Sequence, residues 1–160
     1  MSFVKKSLKI FAVCCVFILV SCRPAPNYDA LQQQILDLHE MNIDAHMKKD
    51  VGFFAKDISD NYFSVGNGEI RNPSKEEITS QFERYLNSTT FTEYRNLREP
   101  TIGFSKDGSL AWSLVQVKVA GRSQAEFGTE RDFETTWAWI TLYERKGKRW
   151  IRLGEVSNYK

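Results

Sequence analysis

Apolar residues recur along this chain in three rhythms, and each predicts a different element. The first is an unbroken apolar run over residues 10–20, behind Lys5, Lys6 and Lys9. The second begins at Asp29, where Leu31, Ile35, Leu38, Asn42 and Ala45 follow helical spacing and Leu36 and Ile43 widen the stripe. That predicts a helix starting at Asp29, with Gln32 as its capping-box partner. Asp50 reads as the N-cap of a short second helix carrying Phe53 and Phe54. Residues 62–65 and 69–70 flank Asn67-Gly68, a pair that favours the left-handed dihedrals of a tight hairpin, so they read as two short antiparallel strands. Pro73 and the Ser74-Lys75-Glu76-Glu77 capping box open a third helix, with Ile78, Phe82, Tyr85 and Leu86 on its apolar face.

After Ser88 the period shortens to that of strands, over residues 91–97, 101–105, 110–119, 133–145 and 149–157. Asp107-Gly108 and Lys146-Gly147 supply turns between them. Early helices followed by long strands predict an α+β domain, with three N-terminal helices on one face of a curved antiparallel sheet. In the strand from Phe133, alternation puts Ala138, Ile140 and Leu142 on one face and Trp137, Trp139, Thr141 and Tyr143 on the other. With the small aliphatic face against the helices, Trp137, Trp139 and Tyr143 form an outer stripe too large to leave in water, and become candidates for a dimer interface. The reverse assignment turns Trp137 and Trp139 into the apolar wall of a pocket; the outward one is preferred.

The His46-Met47-Lys48-Lys49-Asp50 segment, residues 65–70 (Val-Gly-Asn-Gly-Glu-Ile), residues 72–77 (Asn-Pro-Ser-Lys-Glu-Glu), residues 105–112 and the closing strand from Trp150 to Asn158 carry a likeness. With the order of two helices, small hairpin, third helix and long meander, they resemble the cone-shaped nuclear transport factor 2-like superfamily, in particular small SnoaL-like proteins. The resemblance spans about residues 29–158. It implies a sheet curled around the helices with a pocket at the open end of the cone, and dimers formed through the outer face. Its catalytic members, isomerases and dehydratases among them, place an acid/base carboxylate or histidine in that pocket, opposite hydroxyl donors. The architecture also hosts many binding domains, so the likeness bears on fold more than on chemistry.

The leading segment has a positive start, an apolar middle and small residues before Cys22, the layout of an export signal. Leu19-Val20-Ser21-Cys22 resembles the lipobox of bacterial lipoproteins, which implies cleavage before Cys22 and acylation of its thiol. Eleven apolar residues reach about 16 Å as a helix, whereas a spanning helix needs about twenty residues. A spanning anchor and an ordinary secretory signal are the weaker readings. The chain thus divides into a signal at 1–21, a tether at 22–28 with two stiffening prolines, and a single domain at 29–160. The expected location is the bacterial cell envelope, anchored by lipid. Arg23 in place of an aspartate after the acylated cysteine tilts the expectation towards the outer membrane.

Removing the signal removes three lysines, leaving 19 basic against 20 acidic residues and a net charge of −1. The basic character of the whole chain therefore belongs largely to the signal, and no nucleic-acid partner is expected. Arg145, Lys146, Lys148, Arg149 and Arg152 gather around the Gly147 turn and read first as a solvated hairpin tip, second as a surface touching membrane phosphates. The domain keeps no thiol beyond Cys22, so packing must stabilise it without a disulfide.

Candidate chemistry is sparse. His46 and Asp50 stand four apart, where a carboxylate could orient the imidazole on a shared helix face. The preferred reading has Asp50 capping the second helix and His46 as a partly buried hydrogen-bonding residue, with His39 on the surface. Tyr62, Trp112 and Glu155 are the remaining pocket candidates. Burial would raise the pKa of Glu155; pairing with an arginine at the sheet edge is the competing reading. Two histidines without ligand spacing argue against a metal, no glycine-rich loop cradles a phosphate, and no serine sits in a nucleophile elbow. No cofactor is expected. The preferred function is binding of a small amphipathic ligand by an anchored accessory domain. A cofactor-independent isomerase or dehydratase and a structural partner in an envelope complex are the alternatives.

Overall fold

The computed structural model describes residues 25–124 and 129–160. The signal and Cys22 lie outside them. Helix α1, Tyr28–Lys48, starts one residue earlier than its pattern predicts, because the side chain of Asn27 accepts from the Ala30 amide at 3.1 Å and is the N-cap. Lys49, at φ 57°, takes the left-handed turn that ends it. Helix α2, Val51–Ala55, is capped by Asp50 as expected, with the Phe53 amide donating to its carboxylate at 3.3 Å. Helix α3, Lys75–Asn87, opens on a complete capping box. The Glu77 amide donates to Ser74 Oγ, and the Ser74 amide donates to the Glu77 carboxylate.

The strands are β1 (Ile58–Gly66), β2 (Glu69–Arg71), β3 (Thr89–Asn96), β4 (Thr101–Phe104), β5 (Leu110–Gln124), β6 (Glu130–Lys146) and β7 (Arg149–Tyr159). They form one sheet in the order β2-β1-β7-β6-β5-β3, with β4 also pairing with β5. The sheet is mixed: every pair is antiparallel except β1 with β7, which run parallel. Chain order explains this, since the last strand returns beside the first, across the helix-and-meander connection. Register shifts in β1/β7, β3/β5 and β6/β7 bend it around the helices. At the β3 bulge the backbones approach so closely that a Cβ on Gly121 would stand 2.2 Å from the Thr90 carbonyl.

Register decides which face of β6 meets the helices. Trp137, Trp139, Thr141 and Tyr143 pair with Val117, Val115, Ser113 and Ala111 of β5, all four of which are buried. The indole and phenol stripe is therefore on the concave face. This corrects the outward placement of Trp137, Trp139 and Tyr143. The convex face instead carries Leu110, Trp112, Leu114, Ile140, Leu142 and Val156, with Trp112 still 39% exposed and Val156 45%. The core lies between this concave face and the helices. One cluster is centred on Phe54, Leu86, Phe91, Val117 and Val119, and another on Leu31, Ile35, Ala111, Tyr143 and Trp150. Among the described residues no helix is long and apolar enough to cross a membrane.

Candidate functional site

A cleft of about 1020 Å³ opens between α3, the β1–β2 hairpin and the concave face of β6 and β7. Its floor is aromatic: Phe54, Phe82, Tyr85, Tyr94, Trp137 and Trp139 all line it. The helices build one wall because the α3 stripe turns Phe82 against Phe54, ring on ring at 3.9 Å and 7°. The strands build the other, since period two sends Trp137 and Trp139 inward together. A smaller cavity of about 90 Å³ shares Asn42, Trp139, Arg152 and Glu155 with it and is lined also by Thr141, Tyr143 and Trp150.

His46 enters this cleft from α1, inside a ring of aromatics. Its centroid is 4.6 Å from that of Tyr94 and 4.7 Å from that of Phe54, with Phe91, Tyr85 and Phe82 further round. Its Nδ1 lies 2.8 Å from the Asn42 carbonyl. A carbonyl only accepts, so Nδ1 carries the hydrogen and Nε2 keeps the lone pair. Burial pushes the imidazole pKa down to about 4, against the smaller upward pull of that hydrogen bond. The ring is neutral at physiological pH. Asp50 is exposed and committed to the α2 cap, so the His46–Asp50 dyad does not form. His39, expected on the surface, is buried, with Nε2 2.7 Å from the Asn96 side-chain oxygen.

Glu155 sits beneath the cleft at the strand position facing Thr141. Desolvation raises its pKa, opposed by the Arg152 charge and by Thr141, whose Oγ1 approaches Oε2 at 3.5 Å. Tyr62 lines the same cleft, and burial, followed by the neighbouring Glu155 charge, raises the phenol above its ordinary range. Tyr85 is pushed up to about 12 by burial, and Tyr94 is raised for the same reason. These hydroxyls are therefore donors that stay protonated. Glu155 is not at a sheet edge, since β7 lies between β1 and β6. Arg152 is its charged neighbour, with Nη2 donating to the carbonyls of Phe53, Phe54 and Lys56 at 3.2, 2.5 and 3.1 Å.

The structure thus brings together His46, Tyr62 and Glu155 and adds Trp137 and Trp139, while Tyr143 lines the smaller cavity. Trp112 is a correction. It lies on the convex face, with its indole over Gly103, where a Cβ would stand 2.4 Å from the ring. Sequence reasoning missed Asn42, Tyr85 and Tyr94. Asn42 carried a readable signal, a polar residue on the buried stripe of α1; its Oδ1 is buried without a hydrogen-bond partner. Among the described residues no three potential ligands cluster for a metal ion.

No family model matches the chain, and no curated protein matches it in sequence. Solved structures do match. An NTF2-like protein from Cytophaga hutchinsonii is 12% identical, with 79% of this chain and 96% of that one covered at a TM-score of 0.62. A nuclear transport factor 2-like superfamily protein from Salmonella enterica serovar Typhimurium is 12% identical, covering 82% and 92% at 0.65. A type 2 hexachlorocyclohexane dehydrochlorinase, LinA, is 15% identical, covering 84% and 90% at 0.64. At such identities the shared property is the fold. The chain has the nuclear transport factor 2-like fold, three helices in a curved sheet.

Proposed function

We propose that this protein is a lipid-anchored envelope protein whose cleft binds a small amphipathic molecule. The observation that carries the reading is the cleft itself: about 1020 Å³, with an aromatic floor and a polar, charged rim from the β1–β2 hairpin and α3. A cavity of that size suits a drug-sized ligand, and a lining divided between apolar rings and polar groups matches an amphipathic one. His46 Nε2 offers an acceptor and the Tyr62 and Tyr85 phenols offer donors, while the rings take an apolar body. The anchor rests on the resemblance of residues 19–22 to a lipobox.

Native mass spectrometry of the full chain in mild detergent tests the ligand reading. A co-purifying adduct of a few hundred daltons is expected, and it should be lost on Trp139→Ala. Repeated adduct-free spectra, with indole fluorescence indifferent to a panel of amphipathic molecules, would reject it.

One observation favours a second reading, cofactor-independent proton chemistry. Glu155 is desolvated beside Tyr62, so a carboxyl of raised basicity stands close to a protonated donor. Glu155 is the better base, because an imidazole with a pKa of about 4 accepts a proton weakly. LinA, by its name, eliminates hydrogen chloride from hexachlorocyclohexane. Chloride release from that substrate, abolished by Glu155→Gln, would carry this reading here.

The homodimer expected from the sequence is proposed on different residues. The convex face exposes Leu110, Trp112, Ile140 and Val156, with Leu114 and Leu142 between them. A second copy is proposed to cover this apolar patch.

A further inference from the structure

The start of the described chain lies at one particular end of the domain. Pro26 packs at the β4–β5 turn, where a Cβ on Gly108 would meet its ring atoms at 3.0 Å. The Tyr28 phenol donates to the Lys106 carbonyl at 2.7 Å. The Arg145 amide donates to the Ser109 carbonyl at 2.8 Å, which ties the same turn to the β6–β7 hairpin. From Cys22 to Tyr28 is six residues, which reach at most about 20 Å. A lipid on Cys22 would thus hold these two turns within that distance of a bilayer.

Their charge suits that position. Lys106 and Lys148 are exposed, with no ion pair among the described residues. Lys146 and Arg149 are exposed beside them, each also within 3.2 Å of an acid, Glu144 and Asp57. Asp107 is an exposed carboxylate in the same turn, its charge held by hydrogen bonds from Ser105 and Ser109, so the four cations of the two turns outnumber their own acid four to one. Arg152 and Arg145, grouped with these in the sequence, turn away from the tip: Arg152 caps α2, and Arg145 is half-buried. The opposite end, around α3 and the β1–β2 turn, exposes Glu69, Glu76, Glu77 and Glu83 together with Arg71, Lys75 and Arg84, so its charges nearly balance. That end holds the cleft mouth. Nine residues of β6 separate Lys146 from Trp137, about 30 Å at strand rise, and α1 from Tyr28 to His46 spans about 27 Å.

We propose that the end formed by the β4–β5 and β6–β7 turns rests on anionic lipid headgroups, so that the cleft opens into water about 30 Å from the bilayer. The inference rests on the anchor reading for the tether and on the turns themselves for the contact. It identifies the ligand's source as the aqueous compartment rather than the membrane.

Hydrogen exchange on the purified full chain, with vesicles of phosphatidylglycerol or of phosphatidylcholine alone, tests it; intact mass reports acylation of Cys22 separately. Slower exchange at residues 106–109 and 146–149 is expected with phosphatidylglycerol only, with residues 66–69 unaffected. Each basic side chain at such a surface adds roughly fivefold to partitioning, so Lys106→Glu with Lys148→Glu should erase the protection while leaving exchange in the helices unchanged. Unprotected turns, protection indifferent to headgroup charge, or protection at residues 66–69 would each overturn the proposal. Protected turns on an unacylated chain would sustain it and reject the anchor. An acylated chain with unprotected turns would do the reverse.

Discussion

His46 and Glu155 face one cleft, and burial acts on them with opposite sign. His46 has its folded pKa depressed to about 4 from 6.5. Between those values the unfolded chain binds the extra proton, so the stability of the neutral ring is full above pH 6.5 and lost as pH falls towards 4. The loss is on the order of 3 kcal/mol. Glu155 has its folded pKa raised from 4.5. Its contribution is full below pH 4.5 and lost as pH rises through the folded value, where a charge must be held under the cleft. Calorimetric Tm across pH 4–8 should therefore show a flatter acid limb in His46→Phe. Glu155→Gln should show a higher Tm at neutral pH, the gain vanishing at low pH. An acid limb of unchanged slope in the first variant would show that the ring titrates normally. A carboxylate whose removal stabilises the fold is being kept for something other than stability.

At the scale of elements, local signals and tertiary fasteners did different jobs. The Ser74–Glu77 box, the Asp50 cap and the Asn67-Gly68 turn were legible because each is a contact between near neighbours in sequence. The α1 cap was misplaced by two residues, because Asn27 and Asp29 are both good caps and only the backbone geometry chooses between them. The α2–β1 connection is fastened from afar. One guanidinium nitrogen of Arg152 serves three carbonyls at the α2 end, and the group lies over the Phe53 ring at 5.6 Å. A lysine ammonium is more strongly hydrated and cannot lay a flat face on the Phe53 ring as the guanidinium does. Arg152→Lys should cost about 2 kcal/mol in denaturant unfolding. An unchanged midpoint would mean that the three carbonyls find other partners.

Across the whole molecule, the convex apolar face is the feature without a partner among the described residues. Ile140 and Leu142 point away from the helices at the centre of the sheet, where an added charge touches nothing in the core. Ile140→Glu should therefore leave Tm nearly unchanged and convert a dimer to a monomer by light scattering. A wild-type chain that is already monomeric would remove the dimer proposal. The same face explains the reversed assignment of the Trp stripe. Aliphatic and aromatic sides of β6 are both apolar, and alternation separates two faces without saying which one is inside.

The sequence by itself determined the element order, three of the turns and caps that shape it, the lack of a disulfide in the domain, and the resemblance to the cone-shaped fold. Those follow from spacing, backbone preference and composition, which act locally. Only the tertiary structure decided that Trp137 and Trp139 floor the cleft while Trp112 lies outside it. It also decided that the last strand runs parallel to the first, and that His46 is ringed by aromatics from α2, α3 and β3. Each of these depends on register between strands or on packing between elements far apart in sequence, and a side chain's environment there is set by neighbours that no local pattern contains.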